Sequence, residues 1–172
     1  MTNLQLPEAD RIQEAPPANQ SSGLRDNADA QGATASSDAV RPATGYAGDV
    51  SAALAYQWWQ DGAAVLVDVR SDAEREWVGF VPGAVALAWK QWPGMAMNPG
   101  FDDALSALVY PGQKALLLCR SGVRSIAAAK RATELGIEAY NILEGFEGDL
   151  DEQAHRGSKG GWRKQGLPWR QN

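Results

Sequence analysis

Apolar residues along this chain follow two alternating rhythms. Three short apolar runs, at 63–69, 114–118 and 139–143, alternate with stretches in which apolar side chains return every three or four positions. Short continuous runs suit strands buried on both faces, and the longer period suits helices packed over them. Val50, Leu54 and Trp58 predict a first helix, with Asp49 as its N-cap and an end near Asp61-Gly62. Ser71-Asp72-Ala73-Glu74 has capping-box spacing and predicts a short helix through Trp77. Val81-Pro82-Gly83 then turns into a brief strand at 84–88, and Phe101, Leu105 and Leu108 mark a helix over 101–109. Pro111-Gly112 leads into the strand 114–118, which is followed by an Ala-rich helix over 124–135 closed by Gly136 and by the strand 139–143.

Alternation of strands and helices predicts an α/β fold, a small parallel β-sheet with helices on both faces, whose reactive groups belong at the carboxyl ends of the strands. Residues 1–45 contain no Phe, Trp, Tyr or Lys and are rich in Ala, Ser, Asn, Gln, Asp and Pro. Such a segment buries too little apolar surface to offset its ordering entropy, so a disordered N-terminal tail is expected at 1–45 and one domain at 46–172. The tail has no basic start followed by an apolar core, and its acidic residues argue against a transit peptide. A formal net charge of −5 offers no basic field for nucleic acid, and no stretch reaches membrane-spanning length.

The only cysteine, Cys119, sits between the run 114–118 and the Ala-rich helix. In a strand-loop-helix turn the free loop amides and first-turn N–H groups converge on whatever anion occupies the loop. A helix N-terminus favours an anion by on the order of 1–2 kcal/mol when partly buried, and neighbouring arginines add to that. A thiolate at Cys119 therefore needs no histidine base, and the one histidine, His155, is distant in sequence. Free cysteines are most often inert core residues. Here Arg120 and Arg124 flank Gly122, a residue that lets the backbone close around an anion, and inert packing leaves that pattern unexplained.

Cys119-Arg120-Ser121-Gly122-Val123-Arg124-Ser125 resembles the active-site loop of rhodanese-type sulfurtransferases. Val65 to Arg70, with its Asp-Val-Arg ending, looks like the family's second strand. Glu76 to Ala84 is similar to its Gly-His-Ile-Pro-Gly-Ala signature, with Phe80 in place of the histidine, and Asn141 to Phe146 and Gly161 to Pro168 look like its closing strand and last helix. Residues 149–160 read as an insertion loop before that helix. The resemblance implies a rhodanese-like domain in which Cys119 is the catalytic nucleophile and residues 120–125, that is Arg120, Ser121, Gly122, Val123, Arg124 and Ser125, bind substrate. It implies transfer of a sulfane sulfur from a small-molecule donor such as thiosulfate to cyanide, a thiol or a protein thiol through a Cys119 persulfide, with Arg120 and Arg124 assigned to the donor's oxyanion and to loop charge balance.

No cofactor, nucleic-acid or membrane partner is expected. One cysteine and one histidine exclude an internal disulfide and the usual Cys/His zinc sites, so no metal is expected and a reducing cytoplasm is the simplest home. Two other classes stand beside the enzyme: a non-catalytic binding or regulatory module on the same fold, and a Cys-loop phosphatase. The phosphatase loop runs seven residues from cysteine through arginine, whereas Cys119 through Arg124 is six. Asp68 has two readings, a supporting carboxylate that orients a loop amide or an arginine, and an ordinary polar strand end. Arg70 and Glu76 have a solvated ion pair as their plainer reading. Of seven tryptophans most belong in the core, while Trp89 and Trp92 are candidates to wall the approach to Cys119.

Overall fold

The computed structural model describes residues 39–172. Five strands form one wholly parallel sheet: β1 (Gly48–Val50), β2 (Ala64–Asp68), β3 (Val85–Ala86), β6 (Lys114–Leu118) and β7 (Ala139–Ile142), in the spatial order β1-β7-β6-β2-β3. The helices α1 (Ala52–Gln60), α2 (Asp72–Val78), α3 (Phe101–Leu108), α4 (Val123–Glu134) and α5 (Gly161–Lys164) link or follow these strands, and β4 (Lys90–Gln91) and β5 (Ala96–Met97) make a separate antiparallel hairpin.

Register explains why the central strands read as continuous apolar runs. Leu66 lies opposite Leu116, and Leu116 opposite Tyr140, so alternate residues of β2, β6 and β7 face the same layer. Leu66, Leu116, Leu118 and Ile142 pack with Leu54 and Ala55 of α1, Phe146, and Trp162 of α5. The intervening Val67, Ala115, Leu117 and Ala139 pack with Phe101 and Leu105 of α3 and with Ala128, Ala129 and Ala132 of α4. Cys119 belongs to this second layer. Alanine on the inner face of α4 lets that helix lie close to the strand end that carries the cysteine.

The expected elements between 63 and 143 are present within two residues at each end, and the last helix, expected over 161–168, ends at Lys164. Two expectations near the start are corrected. Asp49 is not an N-cap: it lies in β1, and Ser51 caps α1, its Oγ accepting from the Leu54 N–H at 3.1 Å. A three-residue edge strand leaves too short an alternation to separate it from the helix behind it. Ordered chain also begins before 46, because Val40 packs on the first core layer and Arg41 exchanges backbone hydrogen bonds with Asp49 at 2.8 and 2.9 Å. The rest of the expected tail, 1–38, lies outside the described residues. The β4–β5 hairpin had no sequence signal, its two-residue strands being too short to alternate.

The end of β2 holds a buried ion pair. Arg70 is wholly buried, and its Nε and Nη2 donate to the Asp68 carboxylate at 2.9 and 2.6 Å while its backbone N–H donates to the same carboxylate at 3.0 Å. Nη2 also donates to the Gly79 carbonyl at 2.9 Å, and the guanidinium stacks 3.9 Å from the centre of the Phe146 ring. The solvated pair given as the plainer reading of Arg70 is thus corrected to a desolvated one, and the hydrogen bonds of the Asp68 carboxylate go to Arg70. Glu76 is exposed and accepts from the Asn172 side chain.

Arg70→Met should destabilise the domain by about 3–5 kcal/mol, since it leaves the Asp68 carboxylate buried without its cation. Urea denaturation of Arg70→Met, Asp68→Asn and the double variant checks this. The double variant should lose clearly less than the sum of the singles, and strict additivity would show that the pair is not coupled.

Candidate active site

Cys119 leaves the carboxyl end of β6, and the chain turns through residues 120–122 into α4. Gly122 is the N-cap of α4 in a left-handed conformation, φ 94°, which a side chain would strain. No side chain caps this helix; instead the Gly122 N–H donates to Cys119 Sγ at 3.2 Å. Ser125 Oγ, one turn into α4, lies 3.1 Å from the same sulfur. The sulfur is 1% exposed and lies at the positive end of a twelve-residue helix.

A second chain segment braces the loop from behind. Phe146 N–H donates to the Cys119 carbonyl at 2.8 Å and Glu147 N–H to the Arg120 carbonyl at 2.9 Å. Gly145, φ 59°, passes so close that a β-carbon there would overlap the Cys119 carbonyl oxygen. Behind Ser125 runs a polar chain. Ser125 Oγ lies 2.6 Å from Asn141 Oδ1, Asn141 Nδ2 donates to Asp49 Oδ1 at 2.8 Å, and Tyr46 OH donates to that same oxygen at 2.8 Å. Burial, with the hydrogen bond to Asp49, pushes the Tyr46 phenol up to about 12, so it remains a donor. Asp49 accepts, which fixes the Asn141 amide with its oxygen toward Ser125. The serine has one proton to give, either to Asn141 or to the sulfur.

The first turn of α2 closes the other side. Ser71 and Glu74 form the expected capping box, the Glu74 N–H donating to Ser71 Oγ and the Ser71 N–H to Glu74 Oε2. The same carboxylate grips Arg124 with both oxygens, at 2.7 and 2.5 Å. Burial raises the Glu74 carboxyl, but the Arg124 hydrogen bonds and charge, with those from Ser71, outweigh it and bring the group down to about 2. The hydrogen bond to Glu74 likewise raises Arg124. Arg124, expected on the donor's oxyanion or in loop charge balance, has its fork occupied by Glu74 and ties α2 to α4. Glu74 was legible only as a capping residue, because the reach of its carboxylate across 50 positions to Arg124 leaves no local trace.

These elements enclose a cavity of about 560 Å³. Cys119, Arg120, Ser121, Val123 and Arg124 line it from the loop side, Ser71, Glu74 and Trp77 from α2, and Lys90, Trp92 and Met95 from the hairpin. Gly122 and Ser125 touch the sulfur without lining the cavity, and Asp68 acts away from it through Arg70. Trp92 walls the cavity as expected. Trp89 does not; it packs edge-on to Phe101 in the core. In the 149–160 loop Asp151 gathers the N–H groups of Gln153 and His155 and the Ser158 hydroxyl, leaving His155 exposed and outside the cavity. Arg156 of that loop donates to the Gly148 carbonyl at 2.6 Å and reaches the cavity lining. Sequence reasoning had no signal for this contribution.

Comparison with known proteins agrees with this architecture. The Rhodanese-like domain family matches residues 51–152, and the chain belongs to that family. An uncharacterised protein of Rickettsia conorii is 35% identical over 115 residues, covering 62% of this chain and 82% of that protein, and a Rickettsia rickettsii homologue is 33% identical over 111 residues. Among solved structures, Rv0390 from M. tuberculosis is 44% identical with a TM-score of 0.67, covering 74% of this chain and 99% of that one. The rhodanese-like domain of an Anabaena protein, at 15% identity and a TM-score of 0.51, shares the fold. Among the described residues no helix is long and apolar enough to cross a membrane.

The low Glu74 value has a consequence for acid stability. Its carboxyl falls from an ordinary 4.5 to about 2 on folding, so its stabilisation is complete above about 4.5 and is lost as pH falls toward 2. Glu74→Gln should cost on the order of 2 kcal/mol at neutral pH and flatten the stability curve between pH 5 and 2. Urea melts across that range read it; parallel curves for both proteins would mean that Glu74 does not carry this acid dependence.

Proposed function

We propose that the protein is a sulfurtransferase of the thiosulfate type, moving a sulfane sulfur from a donor such as thiosulfate to cyanide or a thiol through a persulfide on Cys119. The observation that carries this reading is the seat of Cys119 Sγ at the N-terminus of α4, receiving the Gly122 N–H at 3.2 Å within a six-residue Cys-to-Arg loop. An anion at that point meets backbone dipoles already oriented toward it, so little rearrangement accompanies charge development.

In the first half-reaction the Cys119 thiolate attacks the donor's outer sulfur. A bond forms between the two sulfurs, the donor's own S–S bond breaks with its electron pair, and sulfite leaves. Arg120, exposed at the loop and with no carboxylate partner among the described residues, meets the donor's oxygens, while Ser121, Val123 and the loop backbone line its path. Arg124 serves by keeping α2 and α4 clamped through Glu74. Ser125 supports the sulfur, turning its proton toward it when the sulfur is anionic. In the second half-reaction an acceptor takes the outer sulfur and restores the thiolate, which gives ping-pong kinetics. No step needs a cofactor, and a thiol that must stay reduced fits a cytoplasmic setting.

Incubation with thiosulfate should add one sulfur atom to the intact mass of the reductant-free protein, removable by cyanide and absent from Cys119→Ser, whose steady-state turnover should vanish with the fold intact by circular dichroism. A sulfur gain that persists in Cys119→Ser would exclude the scheme. Failure of thiosulfate and other sulfane donors alike to charge the native protein would turn the reading toward a non-catalytic module.

A further inference from the structure

The cavity over Cys119 is larger and more apolar than an inorganic ion requires. At about 560 Å³ it falls within the roughly 300–1000 Å³ of sites that enclose organic ligands. Its mouth is flanked by two indoles, Trp77 from α2 and Trp92 from the hairpin turn, 6.5 Å apart and edge-to-face. They remain 67% and 59% exposed. Large aromatic surface beside a concave site, left uncovered by the described residues, is ligand-facing surface.

Charge specifies the ligand further. Four cations line the cavity, Lys90, Arg120, Arg124 and Arg156, against one carboxylate, Glu74. Glu74 and Arg124 satisfy each other, so Lys90, Arg120 and Arg156 face the cavity with no carboxylate partner among the described residues, in a chain of net charge −5. Arg120 belongs to the cysteine loop. Lys90 and Arg156 come from the hairpin and from the 149–160 loop, and the hairpin is held at its root by Asn98, whose Nδ2 donates to the Ala88 carbonyl at 2.9 Å and whose N–H donates to the Trp89 carbonyl at 3.1 Å. Apolar walls and unbalanced positive charge therefore meet over the sulfur.

We propose that this cavity is an acceptor subsite for a small organic thiol that carries an anionic group on a flat apolar body, the body lying against Trp77 and Trp92 and the anion meeting Arg156 and Lys90. The proposal rests on the sulfur-transfer reading and deepens it. The acceptor's thiolate attacks the outer sulfur of the Cys119 persulfide, a new S–S bond forms on the acceptor, and the bond to Sγ breaks with its electron pair left on Cys119. The sulfane sulfur carries its oxidation level with it, so no other oxidant or reductant enters.

The test uses the full chain, thiosulfate as donor and 4-mercaptobenzoate as probe acceptor, with cyanide as an acceptor too small to touch the indoles. In ping-pong kinetics kcat/KM for the acceptor reports the second half-reaction alone. Trp92→Ala should lower the ratio of kcat/KM for 4-mercaptobenzoate to that for cyanide by about tenfold. Arg156→Gln should lower it several-fold and Arg156→Lys should restore it. A ratio unchanged in both Trp92→Ala and Arg156→Gln overturns the proposal. Faster transfer to a neutral cysteine peptide than to 4-mercaptobenzoate also overturns it, in favour of a protein thiol.

A binding arm separates this failure from failure of the underlying chemistry. Calorimetric titration of Cys119→Ser with benzoate and its neutral counterpart benzamide should show a preference for benzoate that is lost when Arg156→Gln is added. Selective benzoate binding in Cys119→Ser, with no sulfane donor able to charge the native protein, would remove the sulfur-transfer reading and the acceptor role with it. Persulfide formation without any benzoate preference would remove the subsite alone.

Discussion

The structure depends on one buried charge pair, Asp68 with Arg70, at the carboxyl end of strand β2, beside the central strand β6. An arginine with no solvent contact is costly to desolvate and persists only where its charge is met. Here the Asp68 carboxylate meets the charge, the Gly79 carbonyl takes a further donor and the Phe146 ring covers the planar face, while Nη1 is buried without a hydrogen-bond partner among the described residues. Those three partners lie on β2, on the C-cap of α2 and on the segment behind the cysteine loop. Because Phe146 also donates its N–H to the Cys119 carbonyl, the guanidinium and the sulfur-bearing loop are two contacts apart. The pair fixes where the loop stands, although neither residue lines the cavity.

A second constraint follows from where α2 is held. With its C-cap tied to Arg70, the first turn of α2 presents Glu74 to Arg124 across the cavity wall. That pairing withdraws one arginine from substrate binding and closes the loop against α2. An unpaired Arg124 would add a mobile charge beside the sulfur. A paired one holds geometry and leaves electrostatic attraction to the remaining cations, which come from three separate segments. Positioning and attraction are thereby assigned to different arginines.

Legibility in the sequence tracked the range of the interaction. The strand 114–118, the helix behind Cys119 and the capping box at Ser71 could be read because each is specified by neighbours along the chain. The Cys119 loop could be read because its donors are its own amides. Strand β1 was lost because three residues carry no period, and with it went the role of Asp49, whose carboxylate anchors the Asn141 amide behind Ser125. Burial of Arg70 was hidden because arginine reads as surface until Phe146 and Gly79 are brought beside it by the fold. Glu74 was half read: one oxygen serves its own helix, and both meet a residue 50 positions away.

The contrast between the cysteine loop and its surroundings bears on how specificity arises in this chain. Gly122 needs its left-handed backbone, Gly145 admits no side chain, and the sulfur has fixed donors, so the loop has little freedom to change what it binds. The hairpin and the 149–160 loop are differently made. Their internal hydrogen bonds, centred on Asn98 and Asp151, close each loop on itself, and Trp92, Lys90 and Arg156 reach the cavity from them, Arg156 also holding the Gly148 carbonyl. Side chains so placed can be exchanged at small cost to stability while the chemistry beneath stays as it is. The seat of the sulfur is thus set by the sheet and α4, and the lining of the cavity above it by the loops.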